Sequence, residues 1–233
     1  PPPDSRGTKI AFAAFFTAML FLARDSMFTT AVIGFEKAQF LMLGVICLLG
    51  VAFLIVNRRY LTQILKDRRM IVVVVSAAVC LLPMLVKRDW QLMYFSVLLC
   101  LLTAVLLSYF LTLRDAAKYY VVIMSVLGAY SVLAAYILRI GVDRGAYAVP
   151  VFQNSMGFEF HNFFLSIVPD TYVKNRNFGI FREPGVYQFF LITALYLNNY
   201  EVEWKKTWQL WLVNGILAAT MVSTFATGGG RGM

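Results

Sequence analysis

Residues 119–140 read YYVVIMSVLGAYSVLAAYILRI, and the run carries no charge until Arg139, one residue before its end. As an α-helix it would be roughly 33 Å long, at about 1.5 Å per residue. That is enough to cross the ~30 Å hydrocarbon core of a bilayer.

The same reading extends along the chain. Seven apolar runs stand out, at Thr8–Ala23, Ala38–Val56, Met70–Val86, Gln91–Thr112, Tyr119–Ile140, Pro184–Tyr200 and Trp208–Phe225. The first and sixth are short for a full span. Pro83, late in the third, predicts a kink or an early end to that helix. Over all 233 residues, 60% are hydrophobic and 14% charged, with a mean hydropathy of +0.71. A soluble domain runs nearer ~45–50% apolar and ~25% charged. The expected class is therefore all-α, a polytopic membrane protein with about seven transmembrane helices. A transmembrane barrel would show ~10-residue alternating segments, and the sequence has none. Two regions are expected within one membrane domain: the helices of residues 1–140, then an outer loop and helical hairpin over residues 141–233.

A net charge of +9 in a soluble protein would raise the question of nucleic acid. Here it reads as loop charge beside anionic headgroups. Arg58, Arg59, Lys66, Arg68 and Arg69 share one loop, and Arg6, Lys9, Arg114, Lys118, Lys205 and Lys206 fall on the same side. The short loops opposite hold Arg24, Lys37, Lys87 and Arg88. The asymmetry puts the N-terminus in the cytoplasm and residues 141–183 outside. Within that outer stretch Phe160, Phe163, Phe164, Ile167 and Val168 recur at helical spacing. The pattern predicts an external amphipathic helix lying in the membrane interface, bounded by Pro150 and by Pro169-Asp170.

Chemistry has few places to reside. The middles of the apolar runs hold no acidic or basic residue, whereas ion-coupled transporters usually place one there. Gln188 and Asn214 are the most polar side chains within the runs, and each is expected to form an interhelical hydrogen bond. Cys47, Cys80 and Cys100 lie in apolar runs and read as buried thiols, with no metal or disulfide spacing. One histidine, His161, rules out a multi-histidine metal centre within this chain. Neither PPPDSRGTK at the start nor TGGGRGM at the end reads as a natural terminus, so a longer protein with further helices is expected.

Charge gathers instead in RNFGIFREPGVYQ, residues 176–188. Glu183-Pro184 reads as a helix start, a carboxylate followed by proline at the first helical position. Arg176 and Arg182 exceed what a cap needs, and guanidinium suits bidentate binding of phosphate. A second stretch, STFATGGGRG at residues 223–232, places Arg231 among glycines. It lacks the spacing of a P-loop.

Together these two stretches resemble the O-antigen polymerase and O-antigen ligase superfamily of bacterial membrane glycosyltransferases. Arg176, Gly179, Phe181 and Pro184 match an arginine followed by Gly-x-Phe-x-x-Pro at the end of a large outer loop. Thr227, Arg231 and Gly232 match a Thr-x-Ser-Arg-Gly-like stretch at the outer end of the next helix, with glycine where serine is frequent. The Glu-Pro-Gly-x-Tyr extension is most similar to polymerases of capsule and exopolysaccharide clusters. The resemblance covers the last third of the chain.

It implies an enzyme of the bacterial cytoplasmic membrane whose donor is an oligosaccharide on undecaprenyl diphosphate at the outer face. Arg182 and Arg231 would grip the diphosphate, supported by Arg176, and His161 or Glu183 would act as general base. No cofactor or divalent metal is implied, since arginines stabilise the developing charge. Membrane lipids would surround the protein, with a chain-length regulator or flippase of the same pathway as potential partner and no nucleic acid. The alternative is a non-enzymatic transporter or flippase of lipid-linked oligosaccharide. That reading calls for charge along a path inside the bundle and for internal repeats, and the sequence shows neither.

Overall fold

A computed structural model describes residues 66–88, 111–153, 158–170, 176–181 and 183–225, together with residues 40, 41, 44, 45, 48, 51, 55, 98, 101, 105 and 108. The described part is mostly helical and divides into two compact units, one containing residues 36–112 and the other residues 113–233. The expected first span and most of the second and fourth lie outside the described residues. Within the second and fourth runs Phe40, Leu48, Leu98 and Val105 are helical, whereas Ser108, Leu111 and Thr112 are not. Four helices are therefore on view, where the apolar runs predict about seven spans.

The first unit contributes α1, Arg69–Lys87. Asp67 starts it, accepting the Arg69 backbone N–H at 2.7 Å and pairing with the Arg69 guanidinium at 3.0 Å. The same guanidinium donates to Ser108 Oγ at 2.8 Å. The helix runs through Pro83 and closes at Arg88, whose left-handed conformation (φ 51°) turns the chain away. Cys80 is a free thiol and half-buried, more open than the sequence implied.

The second unit is built on α2, Leu113–Asp143, continuous through a π-helical turn at Ala134–Leu138. Two further helices pack against it, α3 at Pro184–Tyr200 and α4 at Thr207–Thr224. Their limits match the sixth and seventh apolar runs to within a residue. Small residues set the contacts: a Cβ on Gly128 of α2 would come within 2.7 Å of Thr220 Oγ1 on α4. Close backbone approach through small residues is how helices associate in lipid.

The outer face of this unit is apolar as well as its core. Val121, Met124, Leu191 and Leu217 are buried beside Ser125, Ser131, Asn198, Thr220, Ser223 and Thr224, while Val122, Val126, Phe189, Ile192, Trp211 and Val222 are exposed. Buried polar groups and a large exposed apolar surface are the informative departures from a soluble bundle. Two helices, α1 over Arg69–Val86 and α2 over its whole length, are long and apolar enough to cross a membrane.

Where an amphipathic helix was expected, the chain forms a three-stranded antiparallel sheet. Its strands are β1 (Val151–Gln153), β2 (Glu159–Asn162) and β3 (Ile167–Pro169), in the order β1-β2-β3. Val151, His161 and Val168 sit opposite one another across it. The helical spacing of Phe160, Phe163, Phe164, Ile167 and Val168 was coincidental. Phe160 and Ile167 face one side with Phe178, whereas Phe163 and Val168 pack on Ala134 of α2. Aromatic and β-branched residues favour strands, and Pro169 tolerates a strand end far better than a helix interior. A tight turn at 163–166 also breaks any helical path: Asn162 Oδ1 accepts the Phe164 N–H at 2.9 Å, and Phe164 takes φ +71°.

Candidate functional site at the sheet end of the helices

The stretch singled out by its charge enters the structure as a buried strap. Asn177, Phe178, Gly179, Ile180 and Phe181 are all buried, with exposed Arg176 before them and exposed Glu183 after. Asn177 is the hub. Its Nδ2 donates to Ser131 Oγ on α2 (2.8 Å) and to Ser223 Oγ on α4 (2.9 Å), while its Oδ1 accepts the Gly179 N–H at 2.9 Å. Its backbone N–H reaches the Ser223 carbonyl at 3.1 Å. Ser131 Oγ also lies 3.1 Å from the Tyr187 hydroxyl and donates to the Gly128 carbonyl. A serine hydroxyl has one proton to give, so Tyr187 is the donor of that pair. One loop amide thus joins α2 to α4, and Tyr187 brings α3 to the same serine.

Gly179 makes the strap possible. It adopts φ +56°, and a Cβ there would lie 2.6 Å from the Tyr187 ring. Only glycine meets both conditions without strain. Its carbonyl accepts the Ile167 N–H at 2.7 Å, fastening β3 to the strap. Phe178 meets Phe160 edge to face at 5.9 Å, and Phe181 stacks on Phe190 at 4.5 Å and tilts against Tyr187 at 5.3 Å. The chain then enters α3 as expected from Glu183-Pro184, with Glu183 extended at the N-cap and proline in the first turn. Gln188 donates to Thr224 Oγ1 at 2.8 Å, the interhelical bond anticipated for it.

His161 lies on β2 rather than on a helix. Its Nε2 is 3.3 Å from Asp170 Oδ1. Its Nδ1 is buried and has no partner among the described residues. Nε2 thus faces the carboxylate, and Nδ1 is shut from solvent. Behind this pair is Arg139, 6% exposed and just past the π-helical turn. It donates to the Asp170 carbonyl at 3.3 Å and pairs with Asp143 at 3.5 Å. A charge this deep is retained only when paired and hydrogen-bonded. Asp143 and Asp170 supply those contacts.

Of the residues expected to form the site, Arg176 and Glu183 bracket the strap, and His161 is held by Asp170. Arg182 and Arg231 lie outside the described residues. Sequence reasoning missed Asn177 and the Arg139–Asp143–Asp170 cluster. The i,i+4 spacing of Arg139 and Asp143 was a readable sign of the cluster. For Asn177 the sign was its place beside four residues, Phe178 to Phe181, with no polar side chain. Among the described residues, no group of three or more His, Cys, Asp and Glu side chains converges as a metal ion would need.

No protein-family model matches the chain, and no curated protein and no solved structure shows significant similarity to it.

Proposed function

We propose that the chain is the membrane-embedded part of a glycosyltransferase that moves or polymerises oligosaccharide from undecaprenyl diphosphate at the outer face of a bacterial cytoplasmic membrane. The observation that carries this reading is the mounting of the strap. Arg176 and Glu183 flank a buried segment that is bonded to α2 and α4 and packed on α3, and both face outward. Fixed charges aimed at a site of developing negative charge are the strongest single device in such catalysis.

In this reading the unit spans the membrane with α2, α3 and α4. Arg114, Lys118, Lys205 and Lys206 gather at one end, where Arg114 pairs with Glu203 at 2.8 Å and Lys118 lies over the Trp204 ring. Exposed Tyr196, Tyr200, Trp208 and Trp211 girdle the same end, as aromatic residues do at an interface. Basic residues mark the cytoplasmic side, so the strap and sheet face outward. About seven spans in the whole chain and a cytoplasmic N-terminus belong to this proposal.

Mechanistically, Arg182 and Arg231 hold the diphosphate and Arg176 supports them. The bond between the anomeric carbon and the diphosphate oxygen breaks, and the leaving diphosphate takes its electron pair. The acceptor hydroxyl attacks that carbon and gives up its proton to a carboxylate. Glu183 suits this base role better than His161, because its side chain is exposed whereas His161 has one nitrogen against Asp170 and the other buried.

The test is Arg182→Lys, expressed in a strain whose own copy is deleted. Lysine keeps the charge but loses the two-pronged donor, and losing one such contact costs roughly 10²–10³ in rate. Normal membrane abundance with little or no polymer is expected. Normal abundance with normal chain length would remove Arg182 from the site.

A further inference from the structure

We infer that the β2–β3 turn is a wedge that inserts Phe164 into the apolar edge of the outer leaflet, its partner being the acyl chains of the surrounding lipid. The inference rests on the membrane reading above and adds to it, because a segment after α2 that reads as external loop would then return to the bilayer.

Depth along α2 is the first observation. Asn177 bonds Ser131 and Ser223 together, and Tyr187 meets Ser131, so the outer ends of α3 and α4 stand level with Ser131. Beyond that level α2 continues to Asp143, roughly 18 Å at 1.5 Å per residue. The sheet packs along this projecting part with its turn pointing back toward the bundle. His161 and Asp170 sit beside Arg139, whereas Phe163 packs on Ala134 and its carbonyl accepts the Tyr130 hydroxyl at 2.6 Å. The turn has therefore descended to the level at which α3 and α4 end. Exposed Phe189, Val222 and Phe225 lie at that same end of those helices.

The turn's own build is the second. Phe164 is 70% exposed, while its neighbours Phe163 and Ser166 are buried. Its φ of +71° belongs to glycine or asparagine far more often than to an aromatic residue. Four hydrogen bonds impose the geometry: Tyr130 to the Phe163 carbonyl, Phe164 N–H to Asn162 Oδ1, Leu165 N–H to the Phe163 carbonyl, and Phe163 N–H to the Ser166 carbonyl. A large apolar ring this exposed is costly to hydrate in water. In the interface the ring leaves water, and the strain is offset. The turn from Asn162 to Ser166 carries no charge to oppose entry.

Nitroxide accessibility tests this in vesicles of phosphatidylcholine and phosphatidylglycerol. Cys47, Cys80 and Cys100 are changed to alanine, and single labels are placed by Phe164→Cys, Val222→Cys and Arg144→Cys. Labels at 164 and 222 are expected to meet oxygen more readily than a water-soluble nickel chelate, with the reverse at 144. Leu165→Cys, in the same turn, repeats the reading if the label at 164 prevents folding. Aqueous behaviour at 164 and 165 with lipid behaviour at 222 overturns the wedge and leaves the membrane reading standing. Aqueous behaviour at 222 overturns both.

Discussion

The two ends of the three-helix unit are tied by the same chemical group in different ways. At the lysine-rich end, Asn198 and Asn199 of α3 reach Asn214 of α4 at 2.9 and 3.1 Å, and Asn214 donates back to Asn199 at 2.9 Å. Trp204 Nε1 caps the cluster on Asn198 Oδ1 at 2.7 Å. At the sheet end, a loop asparagine reaches side chains 46 residues away in either direction. The first cluster closes a short hairpin and contains alternatives: each amide has a second partner, and Asn199 is exposed. The second is a single buried amide without a substitute. Redundant local polar contacts hold helices together, whereas one long-range contact decides where a functional loop sits.

Asn177→Ala is the most direct way to break that distinction. It strands the Gly179 N–H and removes a donor from both Ser131 and Ser223, all of them buried. Each buried group left unsatisfied costs about 1–3 kcal/mol, so a loss of about 3–5 kcal/mol is expected. Thermal unfolding in detergent reads it, beside membrane abundance. A loss under about 1 kcal/mol would mean that the loop is held by its aromatic packing rather than by the amide.

The helices were legible in the sequence because long apolar runs are defined by length and apolarity alone, and α3 and α4 begin and end within a residue of their runs. Gln188 and Asn214 were legible for a related reason, since a polar side chain within such a run has only another helix to bond. The sheet was not. Five apolar residues at helical spacing fit a helix as well as a twisted pair of strands, and the choice rests on Asn162 and Tyr130 gripping the turn from outside the pattern. In RNFGIFREPG the arginines drew attention because charge is conspicuous in an apolar chain. What the structure makes of the stretch turns on Asn177 and Gly179, whose roles depend on Ser131, Tyr187 and Ser223, distant in sequence.

Gly179→Ala sharpens the comparison by leaving the amide in place and disturbing its support. Left-handed φ costs a residue with a Cβ roughly 1–2 kcal/mol, and the contact with Tyr187 adds overpacking of about 1–3 kcal/mol. A loss of about 2–4 kcal/mol in the same unfolding measurement is expected. Measured on a Tyr187→Ala background, Gly179→Ala should lose the packing part of its cost and keep the backbone part. A cost near zero on that background would show that crowding alone, and not the left-handed turn, makes glycine necessary.

At the other end the expected effect is smallest. Asn214→Ala removes one amide from a cluster in which Asn198 keeps Trp204 and the Leu210 carbonyl as partners. Asn199 keeps its bond to the Leu195 carbonyl and is exposed, so its remaining capacity is not left buried. Interhelical hydrogen bonds measured in a membrane protein average about 0.6 kcal/mol and reach about 1.7, so the loss should fall in that range. It should also leave glycan chain length unchanged, because the cluster lies at the far end of the helices from the strap. If Asn214→Ala destabilised the protein as much as Asn177→Ala, the two ends would be one cooperative network. If it shortened the glycan at normal abundance, the strap would be coupled to the lysine-rich turn through α3 and α4, and its mounting could no longer be treated as local to the sheet end.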